Sequence, residues 1–395
     1  MDIRLSSRVS TVRPSPTLAV TARAAELKRQ GKDIVSLGAG EPDFDTPGPI
    51  KDAAKAALDR GFTKYTAVGG TPELKAVVAA KFARDNGLEF RASQILVSVG
   101  GKQSFFNLCQ ALLNPGDEVI IPAPYWVSYP DMVLLAEARP VILDTDIGVQ
   151  FKISAEQLAA AITPRTRLLV LNSPSNPSGM AYSRAELAAL GEVLRAHPEV
   201  LIASDDMYEK ILFGDAPFVN IANACPDLLP RCIIMNGVSK AYAMTGWRIG
   251  YCAGPSALIS AMETVQSQST SNPCSIAQAA AQSALDSGDT LLTPMLQAFT
   301  RRHQYVYDRL RTLPGVAVLP SAGTFYSFPN VQGVMQSRGI DSDLQLAEQL
   351  LEAGVAVVPG SAFGSPGHLR LSFATSDENL RLALDRIGAY ITAPA

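Results

Sequence analysis

The chain has 395 residues, enough for two domains that each bury a core of their own. Its 47% hydrophobic and 18% charged residues are an ordinary globular balance, and a net charge of −3 gives no basis for a nucleic-acid or anionic-membrane partner. No run approaches the ~18 apolar residues of a membrane span. The odd set Cys109, Cys225, Cys232, Cys252 and Cys274 contains no Cys-x-x-Cys and suits reduced thiols. His197, His303 and His368 lie far apart without ligand spacing, so no metal site is expected. The segment Met1 to Gln30 carries Arg4, Arg8, Arg13 and Arg23 and little acid, as transit peptides do. Its second half nevertheless reads as a helix of the mature protein, and a cytoplasmic location is expected.

Helical spacing of Leu18, Ala22, Ala25 and Leu27 predicts a helix over Leu18–Gln30, stopped by Gly31. Ile34–Leu37 reads as a short strand before Gly38-Ala39-Gly40-Glu41-Pro42-Asp43-Phe44. The two glycines there suit a turn and lack a dinucleotide fingerprint's third glycine. A helix follows over Pro49–Arg60. Thr71-Pro72 then has the form of an N-cap with proline at the first helical position. Strand Ile95–Val99 runs into Gly100-Gly101-Lys102-Gln103 and a helix over Ser104–Leu113. Such a strand, glycine turn and helix start can aim free N–H groups at an anion. Val119-Ile120-Ile121 leads to Pro124-Tyr125-Trp126. Leu168–Leu171 is a buried-type strand ending in Asn172-Ser173-Pro174-Ser175-Asn176-Pro177-Ser178-Gly179, and Leu201–Ser204 delivers Asp205 and Tyr208.

Cys232–Met235 feeds the stretch Asn236-Gly237-Val238-Ser239-Lys240, with Arg248 eight residues after the lysine and between Gly246 and Gly250. A lysine after a strand is usually a solvated side chain. Here small residues surround it, an arginine follows, and an Asp-x-x-Tyr closes the strand upstream. A lysine forming a Schiff base with an aldehyde cofactor needs such company: an arginine for a phosphate, a carboxylate for a ring nitrogen and a phenol for a ring oxygen. Alternating strands and helices over about 46–285 predict a mostly parallel sheet covered by helices. Gly101, Asn176, Asp205 and Lys240 all fall just past strand ends, where open α/β sheets bind ligands. Beyond Leu291, a long helix, strands near Val316–Leu319 and Gly323–Phe328, and helices over Ser342–Ala353 and Glu378–Ile391 predict a smaller α+β part.

The ordered set Asn-Pro-x-Gly, Asp-x-x-Tyr and Ser-Lys-x5-Gly-x-Arg-x-Gly resembles the fold-type I pyridoxal phosphate enzymes. More closely it resembles the class I aminotransferases, in their bacterial aspartate aminotransferase branch. The resemblance runs from the N-terminal Arg13-Pro14-Ser15 to Arg370-Leu371-Ser372 near the end. It implies an α/β fold with a large domain over 46–290, whose sheet is of the seven-stranded type. A small α+β domain of 1–45 and 291–395 would close over substrate. It also implies a homodimer that takes amino acids and 2-oxo acids as substrates.

Carried over residue by residue, the resemblance gives Lys240 the cofactor linkage and the shuttling of the substrate's Cα proton. Asp205 would keep the pyridine nitrogen protonated, and Tyr208 and Asn176 would bond the ring oxygen. Arg248, Ser239 and the main chain of Gly101 and Lys102 would hold the phosphate, with Tyr65 reaching in from the partner. Trp126 would stack on the ring. Arg370 would fork onto the substrate α-carboxylate, and Gly40 would let the backbone approach it. Ser175 departs from the commoner asparagine. Animal-type aspartate aminotransferases place an arginine before a Ser-Asn-Pro to reach the distal carboxylate, but Ser271-Asn272-Pro273 has none near Ser267. Lys102 is expected to serve instead, with Arg13 as a second contact in members that accept prephenate. The expected reaction is transfer from L-aspartate to 2-oxoglutarate, in a ping-pong cycle through pyridoxamine phosphate. Aromatic or prephenate transamination, or a β-lyase reaction, stays open on this scaffold. An effector-binding module of a transcription regulator would need an added basic helix-turn-helix domain, for which the chain has neither length nor charge.

Overall fold

The computed structural model describes residues 3–12, 14 and 16–393. Its twelve strands are β1 (Val35–Ser36), β2 (Ile95–Ser98), β3 (Glu118–Pro122), β4 (Arg139–Leu143), β5 (Thr166–Asn172), β6 (Leu201–Asp205), β7 (Cys232–Gly237), β8 (Gly250–Ala253), β9 (Tyr326–Ser327), β10 (Val355–Ala356), β11 (Val358–Pro359) and β12 (Leu369–Ser372). Seven of them form one sheet in the order β2-β8-β7-β6-β5-β3-β4. Only β8 runs against its neighbours β2 and β7; the other pairs are parallel.

The sheet is buried on both faces, which explains why its strands read as continuous apolar runs. Alternate residues serve opposite sides. Ile120, Leu169, Ile202 and Ile234 pack into one core, beneath the helices Pro72–Lys81 and Arg184–Arg195. Val119, Leu168, Val170, Ala203 and Ile233 pack into the other, against the helices Gly101–Leu112 and Ser256–Ser267.

A further core surrounds the antiparallel sheet β11-β12-β9 and includes Phe299, Phe325, Phe373 and Leu384. Val35 and Leu37 from the N-terminal part belong to this core, and β1 pairs in parallel with β10. The helix Pro16–Arg29 joins the same side through Ala24 and Leu27, which cluster with Ala356.

Several boundaries differ from the sequence expectation. The helix after the double glycine begins at Gly101 rather than Ser104, because Gly100 at φ 80° turns the chain directly into it. Thr71 caps its helix as expected, its hydroxyl accepting from Leu74 N–H at 3.2 Å. No strand forms at Val316–Leu319; Ala317 makes one isolated bridge with Asn330. The strand expected over Gly323–Phe328 shrinks to β9, since Thr324 at φ 69° breaks the extended run.

Candidate active site

The carboxyl ends of four strands are brought level by their register. Asn172 of β5 lies opposite Asp205 of β6, Asp205 opposite Met235 of β7, and both Gly237 and Ser98 opposite Gly250. The turns beyond these ends form a cleft of about 420 Å³, roofed by the loop around Gly40 and by Arg370 of β12. Parallel strands whose crossovers run to opposite faces leave a crevice at this place.

Lys240 Nζ donates to Gly40 O at 2.6 Å. Burial, with Arg370 and Arg248 nearby, pushes its pKa down to about 8. Asp205 lies deeper. Its Oδ1 accepts from Met207 N–H at 3.2 Å and its Oδ2 accepts the Tyr129 hydroxyl. Burial raises its pKa, while the Tyr129 bond, the Met207 bond and the Lys240 charge pull it back. Tyr208 is buried and its hydroxyl stands 3.2 Å from that of Tyr326. Burial, followed by the neighbouring Tyr326, pushes it well above the ordinary phenol range.

At the opposite wall Arg248 stands where Gly100 and Gly101 turn into the helix. Its Nη1 donates to Thr245 O at 2.9 Å. A Cβ on Gly100 would lie 2.2 Å from Arg248 Nη2, so only glycine lets the guanidinium sit over this turn. The first helical bonds come from Gln103 and Ser104 N–H to Gly100 O, ahead of which the N–H groups of Gly101 and Lys102 begin the helix at the cleft. Ser239 is buried beside them. Lys102 Nζ lies 5.1 Å over the Trp126 ring; desolvation at the cleft wall and the charge of Arg248 lower its pKa.

Arg370 is 2% exposed. Its Nη1 donates to Asn176 Oδ1 at 3.0 Å, its Nη2 donates to Gly38 O at 2.9 Å, and its buried Nε has no partner among the described residues. The guanidinium carbon lies 4.4 Å from the Tyr326 ring centroid and 5.0 Å from that of Phe363. A buried cation with a donor to spare is a site prepared for an anion.

Thus Gly40, Gly101, Lys102, Trp126, Asn176, Asp205, Tyr208, Ser239, Lys240, Arg248 and Arg370 meet in one cleft. Tyr65 does not line it and is 92% exposed on the single chain. Arg13 lies outside the described residues. The sequence reading missed Thr17 and Thr21, one helical turn apart, and also Asn172, Tyr326 and Tyr129. Tyr326 and Tyr129 had no motif to mark them, and their contacts come from distant parts of the chain; Asn172 opens the loop already singled out for Asn176. Among the described residues no group of His, Cys, Asp or Glu is placed to hold a metal, and no helix is long and apolar enough to cross a membrane.

These residues fit pyridoxal phosphate. The cleft offers a half-buried lysine with a depressed pKa, a half-buried carboxylate, and an arginine over a glycine-lined helix start suited to a phosphate.

Comparison with known proteins agrees. The family model described as "Aminotransferase class I and II" matches residues 32–387. The "Aspartate/prephenate aminotransferase" of Nitrosomonas europaea is 59% identical, over 99% of this chain and 100% of the relative. The crystal structure of the Rhizobium meliloti aspartate aminotransferase superposes with a TM-score of 0.95 at 49% identity, covering 99% of each chain. The Thermus thermophilus aspartate aminotransferase with maleate gives 0.93 at 44% identity, covering 99% of this chain and 100% of the other. The fold is that of the aspartate aminotransferases, and the chain belongs to the class I and II aminotransferases, whose cofactor is pyridoxal 5′-phosphate.

Proposed function

We propose that this enzyme transfers the amino group of L-aspartate to 2-oxoglutarate, giving oxaloacetate and L-glutamate. The observation that carries the reading is the pairing of Lys240 and Arg370 on one loop, through Gly40 O and Gly38 O. An amino acid whose α-carboxylate sits on Arg370 has its Cα near the lysine amine. The names of the relatives support aspartate as donor, and the maleate in the Thermus thermophilus structure is a four-carbon dicarboxylate.

Bound pyridoxal phosphate supplies the electron sink that makes loss of the Cα proton feasible. In this reading Lys240 holds the cofactor, and its Nζ, neutral above about pH 8, takes up and returns the proton at Cα. Asp205 holds the proton on the ring nitrogen, and Tyr208 and Asn176 bond the ring oxygen. Arg248, Ser239 and the N–H groups of Gly101 and Lys102 hold the phosphate. Trp126 covers the ring. Arg370 orients the substrate's α-carboxylate through a planar pair of donors. Gly40 keeps the roof low, since a Cβ there would come 3.1 Å from the Tyr326 hydroxyl. Lys102, beside Trp126, receives the distal carboxylate.

The proposed unit is a homodimer in which Tyr65 of the partner subunit completes the phosphate site; its 92% exposure on the single chain favours this. The proposed division is a large domain of 46–290 and a closing domain of 1–45 with 291–395. The shared core of Val35, Leu37, Phe299 and Leu384 supports it.

A second reading, prephenate as acceptor, is favoured by the name of the Nitrosomonas europaea relative. Initial rates with L-aspartate and 2-oxoglutarate, set against L-phenylalanine and against prephenate, test both. Oxaloacetate from L-aspartate is expected to exceed oxo-acid product from L-phenylalanine, and L-glutamate formation separates 2-oxoglutarate from prephenate as acceptor. Turnover confined to aromatic donors would overturn the aspartate reading.

A further inference from the structure

We propose that Tyr129 is a positioning residue for the reaction: its hydroxyl fixes the Asp205 carboxylate toward the cofactor's ring nitrogen and keeps it ionised. The inference rests on the reading of the cleft as a pyridoxal phosphate site.

Asp205 ends the central strand β6 and its main chain is already fixed, its carbonyl accepting from Asn172 Nδ2 at 3.0 Å and from Ser173 N–H at 3.3 Å. The carboxylate itself can still rotate. Met207 N–H holds Oδ1 at 3.2 Å, and the Tyr129 hydroxyl holds Oδ2. Two donors on different oxygens define both the plane and the tilt of the group, and each favours the anion.

Tyr129 is suited to this task by its own packing. It is 1% exposed, with its ring edge-on to Trp126 at 5.1 Å and 85°, and tilted against Phe105 at 4.9 Å and 60°. Its backbone N–H donates to Trp126 O at 3.0 Å. Burial and the adjacent Asp205 charge hold the phenol well above its ordinary range, so it stays a donor. The neighbouring Asp206 is turned elsewhere, accepting from Ser204 Oγ and Asn220 Nδ2, each at 2.7 Å. Tyr129 thereby ties the Asp205 carboxylate to the aromatic wall it forms with Trp126 and Phe105. In the sequence it is one more apolar-core tyrosine.

The test is a binding cycle on apoprotein with Tyr129→Phe, which keeps the ring and removes only the hydroxyl. Each protein is titrated with pyridoxal phosphate and with its 1-deaza analogue, in which a carbon replaces the ring nitrogen. The variant is expected to bind pyridoxal phosphate about tenfold more weakly than wild type, as loss of a bond to a charged group predicts. With the deaza analogue the difference should disappear, because nothing remains for Asp205 to hold. Equal losses with both ligands, or no loss with either, would overturn the role of Tyr129. Wild-type protein that takes up neither ligand would instead overturn the pyridoxal phosphate reading, and this role with it.

Discussion

Arg370 Nη1 and Asn176 Oδ1 meet at 3.0 Å across 194 positions of sequence, joining β12 of the antiparallel sheet to the loop after β5 of the large sheet. With Nη2 on Gly38 O and Nε without a partner among the described residues, the guanidinium is positioned by two bonds and retains a donor for substrate. Lysine has the charge but neither the fork nor the flat face that lies over Tyr326. Arg370→Lys is therefore expected to lower kcat/KM for L-aspartate about 100-fold, while the protein still binds pyridoxal phosphate. Steady-state kinetics alongside a cofactor titration check this.

The depressed pKa of Lys240 has a pH signature in the apoprotein. A neutral amine is the nucleophile toward an aldehyde, and its fraction grows as pH rises through the pKa of the group. Covalent uptake of pyridoxal phosphate should thus speed up through about pH 8, rather than near the ordinary lysine value. Stopped-flow absorbance across a pH series measures it. A rise delayed to pH 10 would contradict the assigned environment.

Lys102 distinguishes acidic from aromatic donors in the proposed site. Lys102→Ala is expected to reduce kcat/KM for L-aspartate at least about tenfold, the scale of one charged contact. L-Phenylalanine turnover should change little. Equal loss for both substrates would make Lys102 a cofactor residue only.

Behind the cleft, Lys81 and Glu209 form a buried ion pair, with Lys81 also donating to Asn86 Oδ1 at 2.8 Å and Asn86 Nδ2 to Glu209 Oε2 at 2.9 Å. Removing one partner strands a charge in the core. Lys81→Met should cost about 3–5 kcal/mol in urea unfolding, whereas Lys81→Met with Glu209→Leu should recover much of that loss.

Much of this site was legible because its residues sit at strand ends, where an apolar run gives way to a polar or glycine residue. Asp205, Asn176, Lys240 and Gly101 all carry that local signature, and the alternating elements dictate the parallel sheet that aligns them. Tyr326 and Tyr129 were not legible, since each reaches the site from a different element and resembles any packed aromatic. The Lys81–Glu209 pair was hidden for the same reason, its members lying on separate elements far apart in sequence. Element ends shifted where a positive φ intervened, as at Gly100 and Thr324, a backbone choice that apolar periodicity does not encode.

In the proposed reaction an acidic amino donor acts on cofactor held at Lys240. The most direct measurement is the absorbance of the purified holoprotein before and after L-aspartate is added with no oxo acid present. Loss of the visible cofactor band, with release of oxaloacetate in proportion to enzyme, is the predicted result. A visible band that L-aspartate leaves intact and only L-phenylalanine removes would contradict it.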